Sequence, residues 1–226
     1  PTDIWAVGAR ETILHWDGGV WRVAHEGEGF APPTLNSIWG TGPDDVWAVG
    51  LSGTTLHWDG VSWTSRTESE LGNLMDVWAD GSGTFWAADN LGRIARRDGT
   101  RWTMQYTSAA RLGFNGVWGF SGTDVWCVGD LGSIVRGGGT SWTAHDAGTT
   151  SRLSDVWGSA ANDVWAVGER GMILHFDGSS WTGSDPGAIT DPLFAIHGSA
   201  ADDIWATGAH GFLVRWTGGP SRTVAS

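Results

Sequence analysis

The sequence predicts an all-β protein, a six-bladed β-propeller of four-stranded antiparallel blades, about 40 residues per blade. Three observations predict it. A Trp-centred hexapeptide recurs six times: DIWAVG (3–8), DVWAVG (45–50), TFWAAD (84–89), DVWCVG (124–129), DVWAVG (163–168) and DIWATG (203–208). Its Trp stands at 5, 47, 86, 126, 165 and 205, so the period is 39–42 residues, which suits a propeller blade and is too long for a parallel β-helix turn. Around each copy lie further short segments rich in Val, Ile, Trp and Thr, bounded by Gly, Asp, Asn and Ser, and no stretch keeps the three-and-four apolar spacing of a helix.

The elements follow in order along the period. A first strand precedes every copy of the hexapeptide but the first, as SIWG, DVWAD, GVWGF, DVWGS and AIHGS. The hexapeptide is the second strand. In Val46-Trp47-Ala48-Val49 both faces are apolar, so both need cover, which blades stacked face to face supply. One Trp buries on the order of 200 Å², enough for a thick layer between blades. The third strand reads ILHWDG, TLHWDG, IARRDG, IVRGGG, ILHFDG and LVRWTG, with Asp-Gly as its hairpin signal. A fourth carries Trp21, Trp63, Trp102, Trp142 and Trp181, and with it all 18 Trp have a slot. The Asp that opens the second strand (Asp3, Asp45, Asp124, Asp163, Asp203) is expected to accept backbone N–H groups of the adjacent tight turn.

One domain, 1–226, is expected, opening mid-blade at a second strand and open to being part of a longer protein. The chain ends in GGPSRTVAS, which aligns poorly with a fourth strand, and the ring then needs a closing strand either from 220–226 or from sequence upstream of Pro1.

A net charge of −12 leaves no basic stripe for phosphates, so neither nucleic acid nor an anionic membrane surface is an expected partner. No run of 18 apolar residues exists, so no membrane insertion is expected. All 13 basic residues are Arg. The single Cys127 replaces Ala in DVWCVG and reads as a small buried hydrophobe. His15, His57 and His175 share a slot with Arg96, Arg136 and Arg215. Equivalent positions in separate blades lie too far apart to meet at one zinc ion, so the slot predicts a polar side chain paired with an Asp, and no metal. The chain has no GxSxG, HExxH, P-loop or EF-hand spacing. Asp44-Asp45 and Asp202-Asp203 belong to the repetitive turns, whereas a catalytic pair belongs where blades differ. No enzyme, no catalytic residue and no cofactor are therefore expected.

Binding is expected at the variable loops. Those from fourth to first strand are long and dissimilar: VAHEGEGFAPPT, SRTESELGN, MQYTSAARLG, AHDAGTTSR and SDPGAITDP. Strand alternation puts them on one face with the turns from second to third strand, which contribute Arg10, Asn90, Asp130, Arg170 and His210. Trp16, Trp58 and Trp216 fall toward the outside of a blade, where an indole face can stack on a sugar ring.

At VWAVGLSGTTLHWDGVSWT (46–64) and its copies, the chain resembles the Trp-rich propeller repeats of secreted proteins from myxobacteria and other bacteria. That resemblance implies the fold and a secreted or cell-surface bacterial setting, and little about activity. Trp58-Asp59-Gly60-Val61-Ser62-Trp63 is more weakly similar to the WDGxxW element of fucose-binding propeller lectins. Those lectins hold sugar between blades with an Arg on the second strand and a Glu on the third. The matching slots here are Trp47 and Thr55, and Trp5 and Ile13 one repeat earlier, so the resemblance does not carry the fucose chemistry over. The leading expectation is a non-catalytic, lectin-like propeller with glycan as ligand. The alternative is a structural or protein-interaction module of an extracellular assembly, and a glycosidase or lyase comes third. A lectin predicts near-identical pockets repeated between blades, and an interaction module predicts one irregular patch.

Overall fold

The computed structural model describes residues 2–139, 141–183, 190–218 and 222–223. It is a six-bladed β-propeller without α-helices among those residues. The chain forms two compact units of three blades each, Pro1–Thr107 and Ser108–Ser226.

In the first unit, blade 1 has β1 (Ile4–Val7), β2 (Ile13–Trp16) and β3 (Trp21–His25). Blade 2 has β4 (Leu35–Gly42), β5 (Asp45–Gly50), β6 (Thr54–Trp58) and β7 (Trp63–Thr67). Blade 3 has β8 (Leu74–Ala79), β9 (Phe85–Asp89), β10 (Arg93–Asp98) and β11 (Arg101–Thr107). In the second unit, blade 4 has β12 (Phe114–Ser121), β13 (Asp124–Gly129), β14 (Ile134–Gly138) and β15 (Ser141–His145). Blade 5 has β16 (Leu153–Ala160), β17 (Asp163–Gly168), β18 (Ile173–Phe176) and β19 (Trp181–Gly183). Blade 6 has β20 (Leu193–Ala200), β21 (Asp203–Gly208), β22 (Leu213–Trp216) and β23 (Arg222–Thr223).

Strands pair with their sequence neighbours, all antiparallel, as the short connections require. Among the described residues blade 1 has three strands. Arg222–Thr223 pairs with β22 as a short fourth strand, the role that its sequence matched poorly. The other residues of 219–226 lie outside the described residues.

Each described core lies between blades, as a second strand apolar on both faces demands. Trp47, Val49, Leu74, Val77, Phe85 and Ala87 join blades 2 and 3, and Trp126, Val128, Leu153, Val156, Phe176 and Trp181 join blades 4 and 5. Cys127 is 0% exposed, the small buried hydrophobe its slot predicts. The first strands add polar ties. A bulge at Asn36 turns its side chain toward the next blade, where Nδ2 donates to the Leu74 carbonyl at 2.7 Å. Asn115 repeats this toward Leu153 at 2.9 Å.

The turn from second to third strand is a tight one with a left-handed residue: Arg10, Ser52, Leu131, Arg170 and His210 all have φ between 52° and 60°. In four of these the next residue is a left-handed Gly. At Gly53 the chain passes so close to the Glu68 carbonyl that a Cβ would overlap it. Blade 1 puts Glu11 in this slot at φ 53°, where its carboxylate meets His25 Nε2 at 3.5 Å.

Two repeated aspartates exchange the role that the sequence assigned. The Asp opening the second strand bonds side chains rather than turn N–H groups. Asp45 accepts from Thr41 Oγ1 (2.6 Å), Trp47 Nε1 (3.2 Å) and His57 Nε2 (2.9 Å). Strand geometry is the reason: Trp47 lies two residues along on the same face, and His57 sits directly opposite it in the ladder. Blade 5 repeats the arrangement with Ser159, Trp165 and His175 around Asp163. Arg136 and Arg215 replace His in blades 4 and 6, on Asp124 and Asp203. Turn N–H groups go instead to the Asp of the Asp-Gly hairpin. Asp59 Oδ1 accepts from Val61 (2.9 Å) and Ser62 (2.8 Å), with Gly60 at φ 89°. The same bonds from Val20 and Gly19, then the side chain of Arg22, hold Asp17 at a pKa of about 2.

Candidate functional site: the clefts between blades

Between adjacent blades the indole of the second strand is packed on both sides. Its own third-strand His lies flat against it: Trp5 on His15 at 4.0 Å and 19°, Trp47 on His57 at 4.3 Å and 16°, Trp165 on His175 at 4.1 Å and 24°. The next blade then brings up a ring from its third strand: Trp58 onto Trp5 (5.6 Å), Phe176 onto Trp126 (4.9 Å) and Trp216 onto Trp165 (5.5 Å). The next blade's fourth-strand Trp meets the same indole edge-on, as Trp63 meets Trp5 at 5.4 Å.

Blade 3 breaks this rule. At the ring slot it has Arg97, whose guanidinium lies 4.0 Å from the centre of the Trp47 ring. Burial is the largest influence on Arg97 and lowers its pKa from the ordinary guanidinium value, against the opposing field of Asp45. A ring would fill the space between blades 2 and 3, and the slimmer guanidinium leaves it open. A small cavity of about 100 Å³ is lined by Trp47, His57, Thr64, Arg66 and Arg97. Arg66 also lines a wider groove of about 520 Å³ between the outer strands β7 and β11, together with Glu68, Glu70, Arg101, Trp102 and Met104.

A second concavity lies on the loop face of blades 5 and 6. Its volume is about 320 Å³, and Arg152, Glu169, Arg170, Pro192 and Phe194 line it. Phe194 is 57% exposed.

Of the residues expected to bind, Arg170 lines this second concavity, and Asp130 pairs with its neighbour Arg152 at 3.2 Å. His210 is exposed, with Nδ1 3.4 Å from Asp191. Arg10 is an exposed left-handed turn residue. Asn90 Oδ1 accepts the Asn73 N–H at 3.2 Å. Trp16 is half-buried beside Trp21 at 5.8 Å, Trp58 rests on Trp5 of the preceding blade, and Trp216 is 4% exposed against Trp165. The loop SDPGAITDP falls mostly outside the described residues. Sequence reading missed Arg66, Arg97 and Arg101. The signal was there in IARRDG, where an arginine interrupts a slot otherwise held by Trp, Phe or, in one blade, Gly137.

Among the described residues no cluster of three His, Cys, Asp or Glu is placed to hold a metal ion. No described helix is long and apolar enough to cross a membrane.

No protein-family model matches this chain, and no curated protein matches it. Solved structures do. A structure of YCF48 bound to D1 peptide aligns over 98% of this chain and 77% of its own, with TM-score 0.76 and 20% identity. YCF48 from Cyanidioschyzon merolae aligns over 95% of this chain and 79% of its own, with TM-score 0.75 and 16% identity. At these identities the likeness is one of fold.

Proposed function

We propose that this chain is a non-catalytic, protein-binding propeller rather than a lectin, acting in a secreted or cell-surface setting like that of the repeats it resembles. The observation that carries the reading is the irregularity of the clefts. A lectin of repeated sites needs the same groups between every pair of blades. Here the ring slot reads Trp16, Trp58, Arg97, Gly137, Phe176 and Trp216, and the concavities differ in position and lining. An irregular patch on a rigid scaffold suits a single macromolecular partner. Support by analogy comes from YCF48, a propeller of the same fold whose structure holds a peptide.

The test sets peptides against sugars. The purified chain is applied to a random-peptide array and a glycan array, and hits are confirmed by titration of Trp fluorescence. Binding to peptides at one equivalent per chain, with the glycan array silent, is the expected result. Glycan hits at several equivalents per chain would restore the lectin reading.

A further inference from the structure

In a chain of net charge −12, arginines are expected to find carboxylates. Six do, within 4.0 Å: Arg22 on Asp17, Arg93 on Asp89, Arg96 on Asp98, Arg136 on Asp124, Arg152 on Asp130 and Arg215 on Asp203. Arg10, Arg66, Arg97, Arg101, Arg111 and Arg170 have no such partner among the described residues, and three of these, Arg66, Arg97 and Arg101, border the cleft between blades 2 and 3. Arg97 is half-buried above Trp47, so water solvates it poorly; Asp45 and Glu68 offset this only through their field, and no carboxylate lies within 4.0 Å of it among the described residues. The 100 Å³ pocket between Arg66 and Arg97 has the size of one carboxylate with a water or two, and Thr64 lines it as a further polar group.

The wider groove constrains the rest of such a ligand. Glu68 and Glu70 line it and repel a run of acidic residues, so a single carboxylate fits better than an acidic tract. Its far wall is β11, the outermost strand of its sheet, which leaves one edge of main-chain N–H and C=O groups for an extended ligand. Trp102 and Met104 add apolar contact beside Arg101.

We propose that this cleft binds an extended peptide through one carboxylate, held between the Arg66 and Arg97 guanidinium groups, with the peptide body along β11. The inference rests on the protein-binding reading of the chain. The carboxylate comes either from a C-terminus or from an Asp or Glu side chain.

Sister blades supply the decisive variant. Arg97→Trp installs the residue that blades 1, 2 and 6 have in this slot, so it keeps the ring packing while removing the cation. Fluorescence polarisation would use three labelled random-octapeptide pools: free C-terminus without Asp or Glu, amidated with Asp and Glu, and amidated without either. One of the first two pools binds and names the carboxylate source, and the third does not. Arg97→Trp and Arg66→Gln each weaken that binding about tenfold or more, and Arg22→Gln, on the exposed surface of blade 1, leaves it unchanged. Equal binding by the carboxylate-free pool overturns the inference. So does a pool that binds wild type and Arg97→Trp alike, and in that case the protein-binding reading survives. Silence from all three pools removes both.

Discussion

Blades 2 and 3 have the same strand order and place a hydrogen-bonded carboxylate at opposite ends of the second strand. In blade 2, Asp45 opens the strand and gathers Thr41, Trp47 and His57, with its side chain 32% exposed. Thr84 takes that slot in blade 3, and Arg96 is left with a buried Nε that has no hydrogen bond and a looser pairing to Asp98 at 3.3 Å. The carboxylate of blade 3 is Asp89, at the far end, where most blades have Gly. Its side chain is 3% exposed and accepts the N–H groups of Gly72, Leu91 and Arg93 and the Arg93 Nε at 2.7 Å. The same blade replaces the packing ring by Arg97. Its departures from the repeat therefore act together. A carboxylate secures the loop end, and the seam toward blade 2 opens into a cleft with free guanidinium groups.

Substitutions can break or sharpen this contrast. Asp89→Ala leaves Arg93 and three N–H groups without their acceptor in a buried site, and a loss of about 3 kcal/mol is expected in denaturant unfolding. Asp45→Ala removes a partly exposed hub and is expected to lose about 1–2 kcal/mol. The contrast fails if Asp45→Ala proves as damaging as Asp89→Ala. Restoring the repeat in blade 3 tests it from the other side. Thr84→Asp offers Arg96 the carboxylate that Asp124 gives Arg136, bidentate at 2.7 and 2.8 Å, and a gain of about 0.5–1 kcal/mol is expected in the same assay. No gain would mean that Arg96 cannot reach the slot.

The smallest effect concerns pH. Blade 6 has His197 where the other first strands have Trp39, Trp78, Trp118 and Trp157, and its ring packs near Trp118 and Trp157 at 5.9 and 6.0 Å. Burial holds its pKa below the ordinary 6.5. Burial, then the charge of Arg136, does the same to His145. Such a histidine binds fewer protons folded than unfolded. Stability is then full above about pH 6.5 and falls as pH drops toward the folded value. His197→Trp should narrow the difference between melting temperatures at about pH 8 and about pH 5.5. An unchanged difference would assign the slope to other groups.

How much of this was legible depends on how often a residue repeats. Blade number, strand order and the inter-blade cores came from the six hexapeptides, because apolar residues on both faces of a strand admit few solutions. The pairing of His and Arg with Asp was also legible, since His57 and Asp45 occupy fixed slots of one repeat. The partner of that Asp was misread. Strand alternation and register, rather than nearness along the chain, brought Trp47 and His57 to Asp45 in place of turn N–H groups. The cleft beside Arg97 was visible only as a blemish in IARRDG. Its meaning depends on a contact with Trp47, 50 residues away in sequence.

By itself the sequence determined an all-β propeller of six Trp-centred blades, because these come from local period. Tertiary structure alone decided where blades leave space between them and that Arg97 borders such a space, on Trp47 of the preceding blade. Cavity shape depends on side chains from neighbouring blades, and those distances are set only when the blades stack.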